Sequence, residues 1–85
     1  MTLEQQYMER FDLAMRMILA KDWCGTIYPT ENGRYLIKWR LSDMENFGSF
    51  SISEKELMNP TSPWTEVMRI CNSLELIAEM ENNNA

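Results

Sequence analysis

Asn32-Gly33 stands between two strand-like runs, Trp23 to Tyr28 and Arg34 to Leu41. That dipeptide is the strongest short-range hairpin signal, because a two-residue type I′ turn needs positive φ at both central positions. Taking the turn as two residues predicts a register in which Glu31 faces Arg34, Thr30 faces Tyr35, Tyr28 faces Ile37, Thr26 faces Trp39 and Cys24 faces Leu41. Strand side chains alternate between faces. One face is then expected to hold Cys24, Thr26, Tyr28, Tyr35, Ile37, Trp39 and Leu41, as the core side. The other is expected to hold Trp23, Gly25, Ile27, Arg34, Leu36, Lys38 and Arg40, an amphipathic surface with three cations.

The flanking segments read as helices. Thr2-Leu3-Glu4-Gln5 fits a capping box, in which Thr2 caps the first turn and Gln5 reaches back. Leu3, Tyr7, Phe11, Ala14 and Ile18 then recur at helical spacing, which predicts a helix from Leu3 to Lys21. A third strand is expected from Phe47 to Ser53, with Gly48, Phe50 and Ile52 on one face and a bulge allowed at Gly48. Ser53-Glu54-Lys55-Glu56 is a second capping box that opens a short turn, ended by Asn59-Pro60. Ser62-Pro63 restarts a helix, with Ser62 as its expected cap, and Val67, Ile70, Cys71, Leu74, Ile77 and Ala78 form its apolar stripe.

The expected fold is therefore α+β: an N-terminal helix, a three-stranded antiparallel sheet turning at Asn32-Gly33, and a C-terminal helix. The simplest packing is a two-layer sandwich with both helices on one sheet face. At 85 residues the chain has room for one domain, expected over residues 1–81, with residues 82–85 as a disordered tail.

Charge is uneven. The formal net charge is −5, yet residues 23–42 carry one acid and three bases, while residues 43–85 carry eight acids and two bases. An acidic overall field repels nucleic acid and favours basic protein surfaces. Cys24 and Cys71 form no CxxC pair, so zinc and thioredoxin-like chemistry have no support. Both are expected to be reduced core thiols, with a disulfide between them as the alternative. No basic-then-apolar leader and no apolar run of about 18 residues is present, so a cytoplasmic setting without membrane contact is expected.

Catalytic equipment is sparse. The chain has no histidine, which removes Ser-His-Asp and Cys-His pairs and the usual transition-metal ligand. No phosphate-cradling glycine loop occurs. Asp22, Asp43 and Glu45 are carboxylates in connectors, where such residues more often form solvated turns than do acid–base work. Neither an enzyme, nor a cofactor, nor a metal site is expected.

The order α-β-β-β-α is similar to that of double-stranded-RNA-binding domains, a likeness of topology. Those domains need cations near the start of the second helix to meet phosphates. Here that place reads Thr61-Ser62-Pro63-Trp64-Thr65-Glu66, without one. The expected function is that of a small acidic protein-binding module that regulates or inhibits a macromolecular partner, in the manner of a phage-type or mobile-element inhibitor. The expected contact surface is Trp23, Arg34, Leu36, Lys38 and Arg40, and the second is an acidic helix face carrying Glu66, Glu75, Glu79 and Glu81. A nucleic-acid-binding domain using the basic hairpin face is the alternative. A homodimer through exposed sheet faces or edges is a further expectation.

Overall fold

A computed structural model describes residues 1–83, with side chains through residue 78. The elements run α1 (Leu3–Ala14), a π-helical turn (Met15–Leu19), β1 (Trp23–Pro29), β2 (Arg34–Leu41), β3 (Gly48–Ser53), α2 (Glu54–Met58) and α3 (Ser62–Asn83). The three strands form one antiparallel sheet in the order β1-β2-β3. The α+β architecture expected from the sequence is thus the one observed. The expected tail begins inside α3, which continues through Asn83; Asn84 and Ala85 lie outside the described residues.

Both capping boxes form. Thr2 Oγ1 accepts from the Gln5 N–H at 3.1 Å, and Gln5 Oε1 accepts from the Thr2 N–H at 2.8 Å. Ser53 and Glu56 repeat this reciprocal pair at the start of α2. Each satisfies two helix donors that would otherwise have no partner. At α3 the chain starts one residue earlier than expected. Asn59 Oδ1 accepts from the N–H and the hydroxyl of Thr61, and Thr61 O accepts the first helical bond from Thr65 N–H at 3.1 Å. Ser62 is therefore inside the helix and buried.

The N-terminal helix does not stay α-helical to Lys21. From Met15 it widens into a π turn, and Ala20 N–H closes it on Met15 O at 3.2 Å. Ala20 then takes the left-handed conformation, φ 52°, which reverses the chain into β1.

The hairpin register differs from the expected one by a residue. Gly33 is left-handed at φ 68°, but Asn32 is not, so a type I′ turn does not form. Thr30 N–H instead donates to Arg34 O at 2.8 Å across a three-residue turn of Glu31, Asn32 and Gly33. A turn of this length, with its last residue left-handed, is the next most common hairpin solution. A one-residue slip moves every β1 side chain to the opposite face. The pairs are Trp23–Leu41, Gly25–Trp39 and Ile27–Ile37 on the inner side, and Cys24–Arg40, Thr26–Lys38 and Tyr28–Leu36 on the outer. Hydrophobicity accounts for the choice, because this register turns Trp23 and Ile27 inward and leaves Cys24 and Thr26 to solvent.

The core lies between the inner sheet face and the helices. Tyr7, Phe11 and Ala14 from α1 meet Met15, Ile37, Trp39, Leu41, Ile52, Leu57, Val67 and Ile70, all buried. Trp23 is held beneath β1 by an edge-on contact with the Phe11 ring, centroids 5.1 Å apart. Gly48 does not make a bulge. It pairs with Trp39 in the regular ladder, and the indole fills the space a side chain at position 48 would occupy. α3 packs mainly along α1 and the π turn, and its distal half extends past the core, leaving Leu76 and Ile77 exposed. No helix among the described residues is long and apolar enough to cross a membrane.

Candidate binding surface on the outer sheet face

All the helices that build the core lie on the inner side, which leaves the outer face of the sheet bare. β2 contributes Arg34, Leu36, Lys38 and Arg40 to it. β1 contributes Cys24, Thr26 and Tyr28, and β3 contributes Ser49 and Ser51. Four of the five residues expected at the contact surface are therefore brought together. Trp23 is not among them: it faces inward, half-buried, with its indole N–H bonded to Asp12. The same slip in register brings Cys24, Thr26 and Tyr28 outward, so Cys24 is an exposed thiol rather than a core one. Cys71 is half-buried on α3, and both thiols are free.

The three cations are not equivalent. Arg34 is spent within the sheet, its Nε donating to Ser51 Oγ at 3.0 Å and its Nη2 to Ser51 O at 3.3 Å. Arg40 folds over the β2–β3 connector. Its guanidinium lies 5.5 Å from the Phe47 ring centroid, and Nη1 reaches Met44 O at 3.5 Å. Its Nε is buried with no partner. Lys38 makes neither a hydrogen bond nor an ion pair among the described residues. The ion pairs found there, Arg16–Asp12, Lys21–Asp43 and Arg69–Glu66, all lie elsewhere. Lys38 borders an open cavity of about 440 Å³ walled by Cys24, Gly25, Thr26, Tyr28 and Phe47. Tyr28 and Phe47 are each about half exposed. Phe47, expected to open the third strand, lies before it in the β2–β3 connector.

The acidic helix face does not assemble as expected. Glu66 and Glu75 are nine residues apart, which is two and a half helical turns, so they project from opposite sides of α3. The Glu66 side chain is only 12% exposed and pairs with Arg69 at 3.7 Å. Burial raises its carboxyl above the usual range, Arg69 opposes that, and Glu56 adds to it. Glu75 is exposed and accepts a 3.7 Å contact from the Cys71 thiol. The thiol is pushed up by desolvation first and then by the Glu75 charge. The side chains of Glu79 and Glu81 lie outside the described residues.

A second groove of about 430 Å³ runs between the sheet and α3, lined by Trp39, Met44, Phe50, Ile70, Leu74 and Ile77 among others. No three His, Cys, Asp or Glu side chains among the described residues are placed to hold a metal ion. No family model matches the chain, and no curated protein or solved structure matches it either.

Proposed function

We propose that the chain is a non-enzymatic binding module whose outer sheet face engages another protein and regulates or inhibits it by occupying its surface. The observation that carries this reading is Lys38, an uncommitted ammonium beside a cavity with two exposed aromatic rings, Tyr28 and Phe47. An apolar cavity with one charged group at its rim suits a side-chain anchor flanked by a carboxylate, the arrangement that concentrates binding energy in a few contacts. The serines of β3 supply a polar border.

Nucleic acid is the second reading, because exposed aromatics among cations form a stacking surface. It is weaker on two counts. Two of the three cations already bond to their own chain, and phosphate affinity rises with the number of uncommitted cations. The net charge of −5 also opposes approach to a polyanion.

The test compares wild type with a Lys38→Glu, Tyr28→Ser double variant as capture baits in native lysate, with and without nuclease. Both side chains are exposed, so the melting temperature is expected to stay nearly unchanged. A stoichiometric protein held by wild type, lost by the variant and indifferent to nuclease supports the proposal. Capture abolished by nuclease favours the second reading, and equal capture by both baits removes this face from consideration.

A further inference from the structure

The sheet ends at β1, and the alternation of its hydrogen bonds shows which backbone groups lack partners. Thr30 N–H donates to Arg34 O, and Ser42 N–H donates to Asp22 O at 2.9 Å. Even-numbered positions of this strand therefore bond to β2. In an antiparallel ladder the intervening positions point their N–H and C=O groups the other way. Trp23, Gly25 and Ile27 thus present three donors and three acceptors along an unpaired edge. Folded proteins usually guard such an edge with charge, proline, a bulge or a cover. β1 reads Trp-Cys-Gly-Thr-Ile-Tyr-Pro, with no charge and with proline only at its last position. Gly25, at its centre, is exposed.

We infer that this edge is a dimer interface, in which β1 pairs antiparallel with β1 of a second copy about a two-fold axis at Gly25, making one six-stranded sheet. Backbone donors and acceptors at strand spacing are complementary to another extended backbone, and three features select a second copy of the same one. First, with Gly25 opposite Gly25, Trp23 of each copy faces Ile27 of the other, so all three donors and all three acceptors are used. A shift that set Trp23 against Pro29 would lose a donor. Second, Trp23 and Ile27 are both only partly buried on the inner face, and each would cover the other as an aromatic–β-branched pair. Third, charge is compatible across the axis. Asp22 comes opposite Tyr28, not another acid, while Lys38 and Arg40 stay one strand back on each side. The other edge offers less: β3 exposes Ser49 and Ser51, and Ser53 is committed to the cap of α2. The dimer does not depend on what the outer face binds, although it sets two such faces side by side.

Light scattering coupled to size exclusion, at sub-millimolar concentration, reads the assembly. The expected mass is twice that of the 10.1 kDa chain. In this register position 24 of one copy stands opposite position 26 of the other, and both side chains are exposed on the outer face. Cys24→Glu with Thr26→Glu therefore sets like charges against each other across the axis, while within each chain the new acids face Arg40 and Lys38, and is expected to give a monomer with unchanged circular dichroism. An independent variant tests the register. In a Cys71→Ser background, Thr26→Cys places thiols across a non-hydrogen-bonded pair about 4.5 Å apart at Cα, within disulfide reach. Oxidation is expected to give a covalent dimer on a denaturing gel, whereas Tyr28→Cys, which faces position 22, gives none. A monomeric wild type, a dimer that survives the double glutamate variant, or cross-linking through position 28 but not 26 would each overturn the inference.

Discussion

Trp23 Nε1 donates a 2.7 Å hydrogen bond to Asp12 Oδ1, joining the first strand to the N-terminal helix. The same carboxylate holds Arg16 one helical turn on, at 3.2 Å. This contact exists only because β1 is turned with Trp23 inward, so it is a chemical marker of the observed register. Trp23→Phe keeps the ring contact with Phe11 and removes the donor. A hydrogen bond to a charged acceptor contributes about 1.5–3 kcal/mol, and because Asp12 keeps access to water and Arg16, a loss near the lower end, about 1–2 kcal/mol, is expected. Urea unfolding followed by circular dichroism measures it, and an unchanged midpoint would show that the bond contributes nothing.

Gly48 and Trp39 form a tight pair. A Cβ at position 48 would lie 2.5 Å from Trp39 Cζ2, and the indole, 9% exposed, is enclosed by the core. Gly48→Ala is expected to destabilise by about 1–3 kcal/mol through overpacking. Thermal unfolding checks this, and a variant as stable as wild type would mean that the ring moves freely.

Ala20 is left-handed without being glycine. That conformation costs an L-residue about 1–2 kcal/mol; glycine avoids the strain, and its greater unfolded-state freedom offsets part of the gain. Ala20→Gly is expected to stabilise by about 0.5–1 kcal/mol, read as a higher urea midpoint with an unchanged slope. Destabilisation would contradict the left-handed assignment.

The alkaline limb of stability should trace to Tyr7. Its ring is 1% exposed and its hydroxyl has no hydrogen-bond partner. Burial pushes its pKa up to about 12, nearby Ser62 opposes this, and the Glu66 and Glu56 charges add to it. A folded-state value above the unfolded one means that stability is intact below pH 10 and is lost as pH rises toward 12. The loss approaches about 2–3 kcal/mol over that window. Tyr7→Phe is expected to flatten the limb while leaving stability at pH 7 unchanged or slightly higher, since an unsatisfied hydroxyl is removed. Denaturation midpoints from pH 8 to 12 for both proteins test it, and parallel curves would place the alkaline transition elsewhere.

Local chemistry accounts for what was legible before the structure. Thr2 with Gln5 and Ser53 with Glu56 needed only a four-residue window, and both boxes form. The outer position of Arg34, Leu36, Lys38 and Arg40 follows from alternation within β2 and does not depend on the turn. The faces of β1 are not legible in this way, because its orientation hangs on one dihedral at Asn32, which an Asn-Gly pair leaves open. A two-residue turn sets Trp23 outside and Cys24, Thr26 and Tyr28 inside; the three-residue turn reverses them. The opposition of Glu66 and Glu75 was already in their spacing. The π turn at Met15 leaves no mark in composition or periodicity, because Ala14, Met15 and Ile18 read equally well as an uninterrupted helix.

The outer sheet face, with Cys24 beside Lys38 and Tyr28, is open to solvent. Native-state labelling of Cys24 with a thiol reagent in a Cys71→Ser background reads that exposure at a residue whose face the hairpin register decides. Labelling at a rate close to that of the unfolded chain is expected. Protection by orders of magnitude, released only by global unfolding, would put Cys24 in the core and the cavity beside Lys38 out of existence.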